Sequence, residues 1–63
     1  MESARLLLVD DDRTVRDQIR RLFTGQGWLV EEAGDVEEAR RAFDRFRPDA
    51  VVLDYSLPDG TAL

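Results

Sequence analysis

Two short apolar runs constrain this chain more than anything else in it. Residues 5–9 read RLLLV and residues 50–53 read AVVL, and neither alternates with polar residues. Runs this short and this unbroken are what a strand buried on both faces looks like. Such strands belong to parallel sheets with helices on each side. Each run passes directly into aspartate: Asp10, Asp11 and Asp12 after the first, Asp54 after the second. Like charges repel at such spacing, so three acids at the end of a buried strand call for something to hold.

The sequence between the runs supplies the crossovers. Residues 13–24 repeat Val15, Ile19, Leu22 and Phe23 at helical spacing, with Arg13, Arg16, Asp17, Arg20 and Arg21 on the other faces. Asp11 or Asp12 can cap this helix, and Gly25 and Gly27 can end it. Residues 28–33, WLVEEA, read as a second strand, polar toward its end and therefore at an edge. Asp35 with Glu38 matches a capping box with Asp in the serine position. The helix from 36 to 46 is expected to bury Val36, Ala39, Phe43 and Phe46, and Pro48 stops it. The order is βαβαβ with short connections, which predicts an α/β fold with right-handed crossovers. In its flavodoxin-like form the parallel sheet is ordered 2-1-3, and ligands bind at the carboxyl ends of the first and third strands. Asp10, Asp11 and Asp54 fall at those ends.

Composition narrows the chemistry. The chain has 63 residues with 14 acids and 9 bases, a net charge of −5. A domain this short buries only about 60% of its unfolded surface. It contains no cysteine and no histidine, and all nine bases are arginine. A disulfide framework, a thiolate metal site, a histidine base and a lysine-dependent step are thereby excluded from these residues. An acidic chain without a basic stripe is a poor nucleic-acid binder. No apolar run approaches the roughly 20 residues of a membrane span. The first ten residues lack a signal-peptide pattern, so a cytoplasmic location is expected.

An isolated acidic triplet is ordinarily a set of caps and solvated side chains. The second strand ending in Asp54, with YSLPDG after it, sets this chain apart. Carboxylates gathered at one sheet end need a cation beside them. Hard oxygen ligands without His or Cys suit Mg²⁺, or Mn²⁺ in its place. Mg²⁺ in turn recruits phosphate oxygens, and a free carboxylate beside it can act as nucleophile toward phosphorus.

The stretches LLLVDDDRTVR, GWLVEEA and RPDAVVLDYSLPDGTAL together resemble the first half of a response-regulator receiver domain of bacterial two-component signalling. The resemblance implies that residues 1–63 are the N-terminal half of such a domain. It implies that Asp54 accepts a phosphoryl group from the phosphohistidine of a sensor histidine kinase, a phosphoacceptor role rather than that of an enzyme. It further implies that Asp11 binds Mg²⁺ directly, Asp10 mainly through water, and that Asp54 and the Ser56 carbonyl complete the protein ligands. Asp12 matches a variable position. Thr61 and Ala62 stand where many members have Asp and Gly. The Ser/Thr and Lys that receivers carry at the ends of later strands have no counterpart here, so this chain alone is expected to be a weak phosphoacceptor. The output domain, expected to be transcriptional, also lies outside it.

Two other readings have sequence support. LLLVDDDRT also fits the haloacid-dehalogenase phosphatase pattern, with Asp10 as nucleophile, Asp12 as acid/base and Thr14 following. That reading leaves Asp54 and LPDG unused. A receiver-like interaction module that is not phosphorylated is the other, though it ordinarily lacks the acids present here. The 50–54 strand, apolar on both faces, also predicts a homodimer joined edge to edge through that strand, because a bare strand edge invites pairing. Trp28 reads as a packing residue at a strand start, and Tyr55, which follows the acceptor, reads equally as shading the site or as partly buried in the core. The Arg20–Arg21 and Arg40–Arg41 pairs read as solvated helix faces.

Overall fold

A computed structural model describes residues 3–54, with Asp54 contributing its backbone. Five elements follow in the predicted order: β1 (Arg5–Asp10), α1 (Arg13–Gly25), β2 (Leu29–Ala33), α2 (Val36–Phe46) and β3 (Ala50–Asp54). The strands form one parallel sheet ordered β2-β1-β3. The polar strand lies at an edge and β1 in the centre. Leu6, Leu7, Leu8 and Val9 of β1 are each at most 1% exposed. An unalternating run demands this, because with a helix on either face neither side of the pleat is left to water.

That the helices lie on opposite faces is visible in β2. Successive side chains along a strand point to opposite faces. Glu32 receives Arg16 and Arg20 of α1 at 3.2 and 3.0 Å, whereas its neighbour Glu31 receives Arg45 of α2 at 2.6 Å. Adjacent carboxylates thus fasten different helices, one on each side, as right-handed crossovers impose. On the α2 face, Leu7, Val9 and Ala33 pack with Ala42, and Ala39 lies against them.

The helix ends are set by local chemistry. Asp12 caps α1, its Oδ1 accepting from the N–H groups of Thr14 and Val15 at 2.9 and 3.3 Å. At the other end Gly27 adopts φ +96°, its N–H donates to the Thr24 carbonyl at 3.0 Å, and the Trp28 N–H donates to Phe23 at 3.1 Å. Phe23 and Trp28 meet edge to face with centroids 5.8 Å apart. The two bonds and the apolar contact together make a Schellman closure. It uses the Trp28 N–H, so β2 begins at Leu29 rather than at the predicted position 28. Asp35 caps α2 by accepting the Glu38 N–H at 2.8 Å. The return bond from Glu38 Oε1 takes the Gly34 N–H, one residue earlier than the box motif predicts. Arg47, at φ 53°, closes α2 just before Pro48. Arg5 then ties the amino end of the sheet: its N–H donates to Asp49 Oδ2, its Nη1 to the Phe46 carbonyl, and its guanidinium lies 5.6 Å over the Phe46 ring.

The burial expectation for α2 needs correction, and α1 shows the same pattern. In α2 the buried residue is Ala42, while Val36 and Phe43 are 56% and 53% exposed. In α1 no residue is buried, and Leu22 is 59% exposed. The reason is lateral placement. Both helices pack over β1 and β2, and neither packs over β3. The flank of each apolar stripe away from β2 is therefore uncovered among the described residues, as are Val51 and Leu53 of β3.

Candidate functional site

Burial of β1 delivers its last residue into the sheet. Asp10 is 3% exposed, continuing the buried run that precedes it. Its Oδ1 accepts the Asp12 N–H at 2.8 Å. Its Oδ2 is buried with no hydrogen-bond partner among the described residues. A carboxylate oxygen in that condition carries a desolvation cost that a proton donor or a cation would offset. Asp11, the next residue, is exposed. Asp12 points its carboxylate at the start of α1 and is spent as a cap.

The parallel register sets Asp10 opposite Asp54. Neighbouring strands lie about 4.8 Å apart, so the last residues of β1 and β3, far apart in sequence, meet at the carboxyl edge of the sheet. Of the predicted ligands, Asp10 and Asp11 are placed at this edge by backbone and side chain, and Asp54 by backbone. Ser56 lies outside the described residues, as does Tyr55. Among the described residues no group of three His, Cys, Asp or Glu side chains could hold a metal. The donor types that are placed still fit a hard cation: one exposed carboxylate beside a buried carboxylate oxygen without a partner, with no softer ligand near.

A residue that the helix pattern left on a solvated face turns out to touch the site. Arg16 Nη1 donates to the backbone carbonyl of Asp10 at 2.7 Å, and its Nε reaches Glu32. The only sequence signal for this is its place four residues after the cap Asp12, whose carbonyl accepts the Arg16 N–H at 2.9 Å. Farther along α1, Asp17 is held below the ordinary aspartate value, first by its hydrogen bond from Arg20 and further by the charges of Arg21, Arg20 and Arg13. A surface trough lined by Arg13, Thr14, Arg16, Asp17, Arg20 and Glu32 runs between α1 and β2. It borders the acidic edge through Arg16, and the Arg16, Arg20, Asp17 and Glu32 ion pairs occupy its walls, so it is a solvated seam rather than a second reaction site.

The phosphatase reading loses its acid/base, because Asp12 caps a helix that begins at the very next residue. No helix among the described residues is long and apolar enough to cross a membrane.

Comparison with known proteins points the same way. A family model described as the response regulator receiver domain matches residues 6–62. A protein named response regulator MprA in Mycobacterium leprae is 50% identical over 54 residues, 86% of this chain and 24% of that protein. Its namesake in Mycobacterium ulcerans is 48% identical over 56 residues, 89% of this chain and 24% of that protein. The one in Mycolicibacterium vanbaalenii is 50% identical over 54 residues. The chain thus spans about a quarter of the length of these curated relatives.

Proposed function

Because this chain belongs to the response regulator receiver domain family, we propose that Asp54 is its phosphoacceptor and that it works in a two-component phosphorelay. A carboxylate oxygen of Asp54 attacks the phosphorus carried by the phosphohistidine of a sensor histidine kinase. The P–N bond breaks and its electron pair returns to the imidazole. The phosphorylated domain then switches a cytoplasmic output domain that acts in transcription. The observation that carries this reading is the register that sets Asp54 against Asp10, whose Oδ2 is buried without a partner among the described residues.

Asp11, Asp10, Asp54 and the Ser56 carbonyl are the residues we assign to holding Mg²⁺. Bound there, the ion would neutralise charge on the transferring phosphoryl oxygens. The chain's own contributions are the buried strand that fixes Asp10 and the capped helix start that fixes the turn of Asp11 and Asp12.

The test is to treat the full-length protein with a small phosphodonor and Mg²⁺ and to follow intact mass. The expected result is one added phosphoryl group, lost in Asp54→Asn and kept in Asp12→Asn. The reverse pattern would favour the phosphatase reading and overturn this one. In a Mg²⁺ titration, NMR signals of residues 10–12 and 54–56 should move, and equal shifts in Asp54→Asn would remove Asp54 from the ligand set.

We also infer that the 63-residue chain by itself associates through β3. What supports this is that β3 pairs along one edge only among the described residues, with Val51 43% and Leu53 64% exposed. Sedimentation of the isolated chain showing a folded monomer at micromolar concentration would refute it.

A further inference from the structure

We propose that Arg16 is a positioning residue for the acid pair: it holds the peptide between Asp10 and Asp11 in the orientation that presents both carboxylates to one cation. The inference rests on the proposed function, because it concerns how that same site is built.

The side chain of Arg16 is 18% exposed, the lowest of the four arginines in ion pairs among the described residues. Its guanidinium spans two strands. Nε donates to Glu32 Oε1 on β2 at 3.2 Å, and Nη1 donates to the Asp10 carbonyl at the end of β1 at 2.7 Å. A charge that merely solvated a helix face would make neither contact.

The carbonyl it grips matters because of what shares its plane. A peptide unit is planar, so fixing the Asp10 carbonyl also fixes the nitrogen and Cα of Asp11, from which that exposed carboxylate projects. A second bond closes the same turn: Asp10 Oδ1 accepts the Asp12 N–H, so freeing the peptide that Arg16 holds also loosens this contact. The two acids are therefore aimed by two different bonds, and Arg16 supplies one of them. Glu32 anchors the fork, and a planar fork with several donors at fixed angles can do this where a point charge cannot. The end of β2 leaves space for it. A Cβ added at Gly34 would lie 3.0 Å from Arg16 Nη1, so any side chain there presses on the guanidinium.

Charge and geometry predict opposite signs for removing this residue. Arg16 is a cation close to a cation site. On charge alone, its loss should tighten Mg²⁺ binding. As a positioning residue, its loss should weaken it, and outer partners of metal ligands typically cost about 10–100-fold in affinity when removed.

The experiment uses the full-length protein. Arg16→Ala should raise the Kd for Mg²⁺ about tenfold, and Arg16→Lys, which keeps the charge but not the fork, should not restore it. Gly34→Ala should produce a smaller rise in the same direction. Arg21→Ala, whose ion pair with Asp17 stands in solvent, should leave the Kd unchanged. Tightened or unchanged binding in Arg16→Ala, or full rescue by lysine, overturns the proposal. A metal-free measurement separates it from the proposed function: hydrogen exchange at the Asp12 amide should lose protection in Arg16→Ala and keep it in Arg21→Ala. If the wild-type protein binds no Mg²⁺, the proposed function falls and this exchange measurement alone decides, with retained protection counting against the positioning role. Should Arg16→Ala fail to fold, Gly34→Ala leaves every ion-pair partner in place and carries both measurements.

Discussion

The two faces of the sheet are covered by unlike means. On the α2 face, Ala42 is buried against Leu7, Val9 and Ala33, and among the described residues one ion pair, from Arg45 to Glu31, adds to that contact. On the α1 face no helical residue is fully buried. There, Arg16 and Arg20 converge on Glu32, and Arg20 and Arg21 hold Asp17. Apolar packing is not screened by salt and carries no titrating group, whereas half-exposed ion pairs weaken as salt rises and as acid protonates their carboxylates. The helix that follows the acid triplet is thus the one with the softer attachment.

The largest expected effect comes from putting a charge where α2 is dry. Ala42→Asp should lose about 3–5 kcal/mol, as an uncompensated buried carboxylate does, seen as a lower urea midpoint in the full-length protein. Ile19→Asp on α1, at a half-buried position, should lose clearly less. Equal losses would erase the distinction between the faces. Next in size are the caps, which should ignore it. Asp12→Ala and Asp35→Ala should each cost about 1 kcal/mol, because each removes an acceptor from free N–H groups whatever its helix covers.

Smaller again is the direct test of the ionic seam. Glu32→Gln should cost about 0.5–1 kcal/mol at low salt and close to nothing near 1 M salt, where screening reaches about 3 Å. The α2-face substitution should keep its full cost in the same salt. The smallest effect is acid sensitivity at Asp17. Its folded value lies below its unfolded one. Its contribution is therefore complete above the ordinary aspartate range and drains away as pH falls through the lowered value. Asp17→Asn should flatten that part of the acid unfolding curve, and an unchanged curve would show that Asp17 does not couple to folding.

What the sequence made legible was local or periodic. The runs at 5–9 and 50–53 declared a parallel sheet because burial on both faces leaves no polar positions. Asp12, Asp35 and Gly27 announced helix ends because capping is decided within a few residues. Leu22 of α1 is exposed for the same reason that Val36 and Phe43 are exposed against expectation: periodicity identifies an apolar stripe but not which flank of it meets the sheet. That depends on where each helix sits across the strands. Arg16 was illegible for a related reason: on a helical wheel it looks like any solvated arginine, and only the sheet brings Asp10 and Glu32 within its reach. The acidic edge itself was legible because Asp10 and Asp54 each end a run, and the register sets them opposite one another.

The paired glutamates of β2 have a bearing on how the chain finds its alignment. A slip of β2 by one residue exchanges the faces of Glu31 and Glu32, yet each helix would still meet a glutamate. Electrostatic attraction is therefore a degenerate key that accepts the misaligned strand almost as readily as the aligned one. The discrimination falls to Ala33, 1% exposed beside Val9. A slip in one direction replaces its methyl group with a dehydrated carboxylate, and in the other with the bare hydrogen of Gly34. Ala33 thus holds the register of the edge strand where the charges do not.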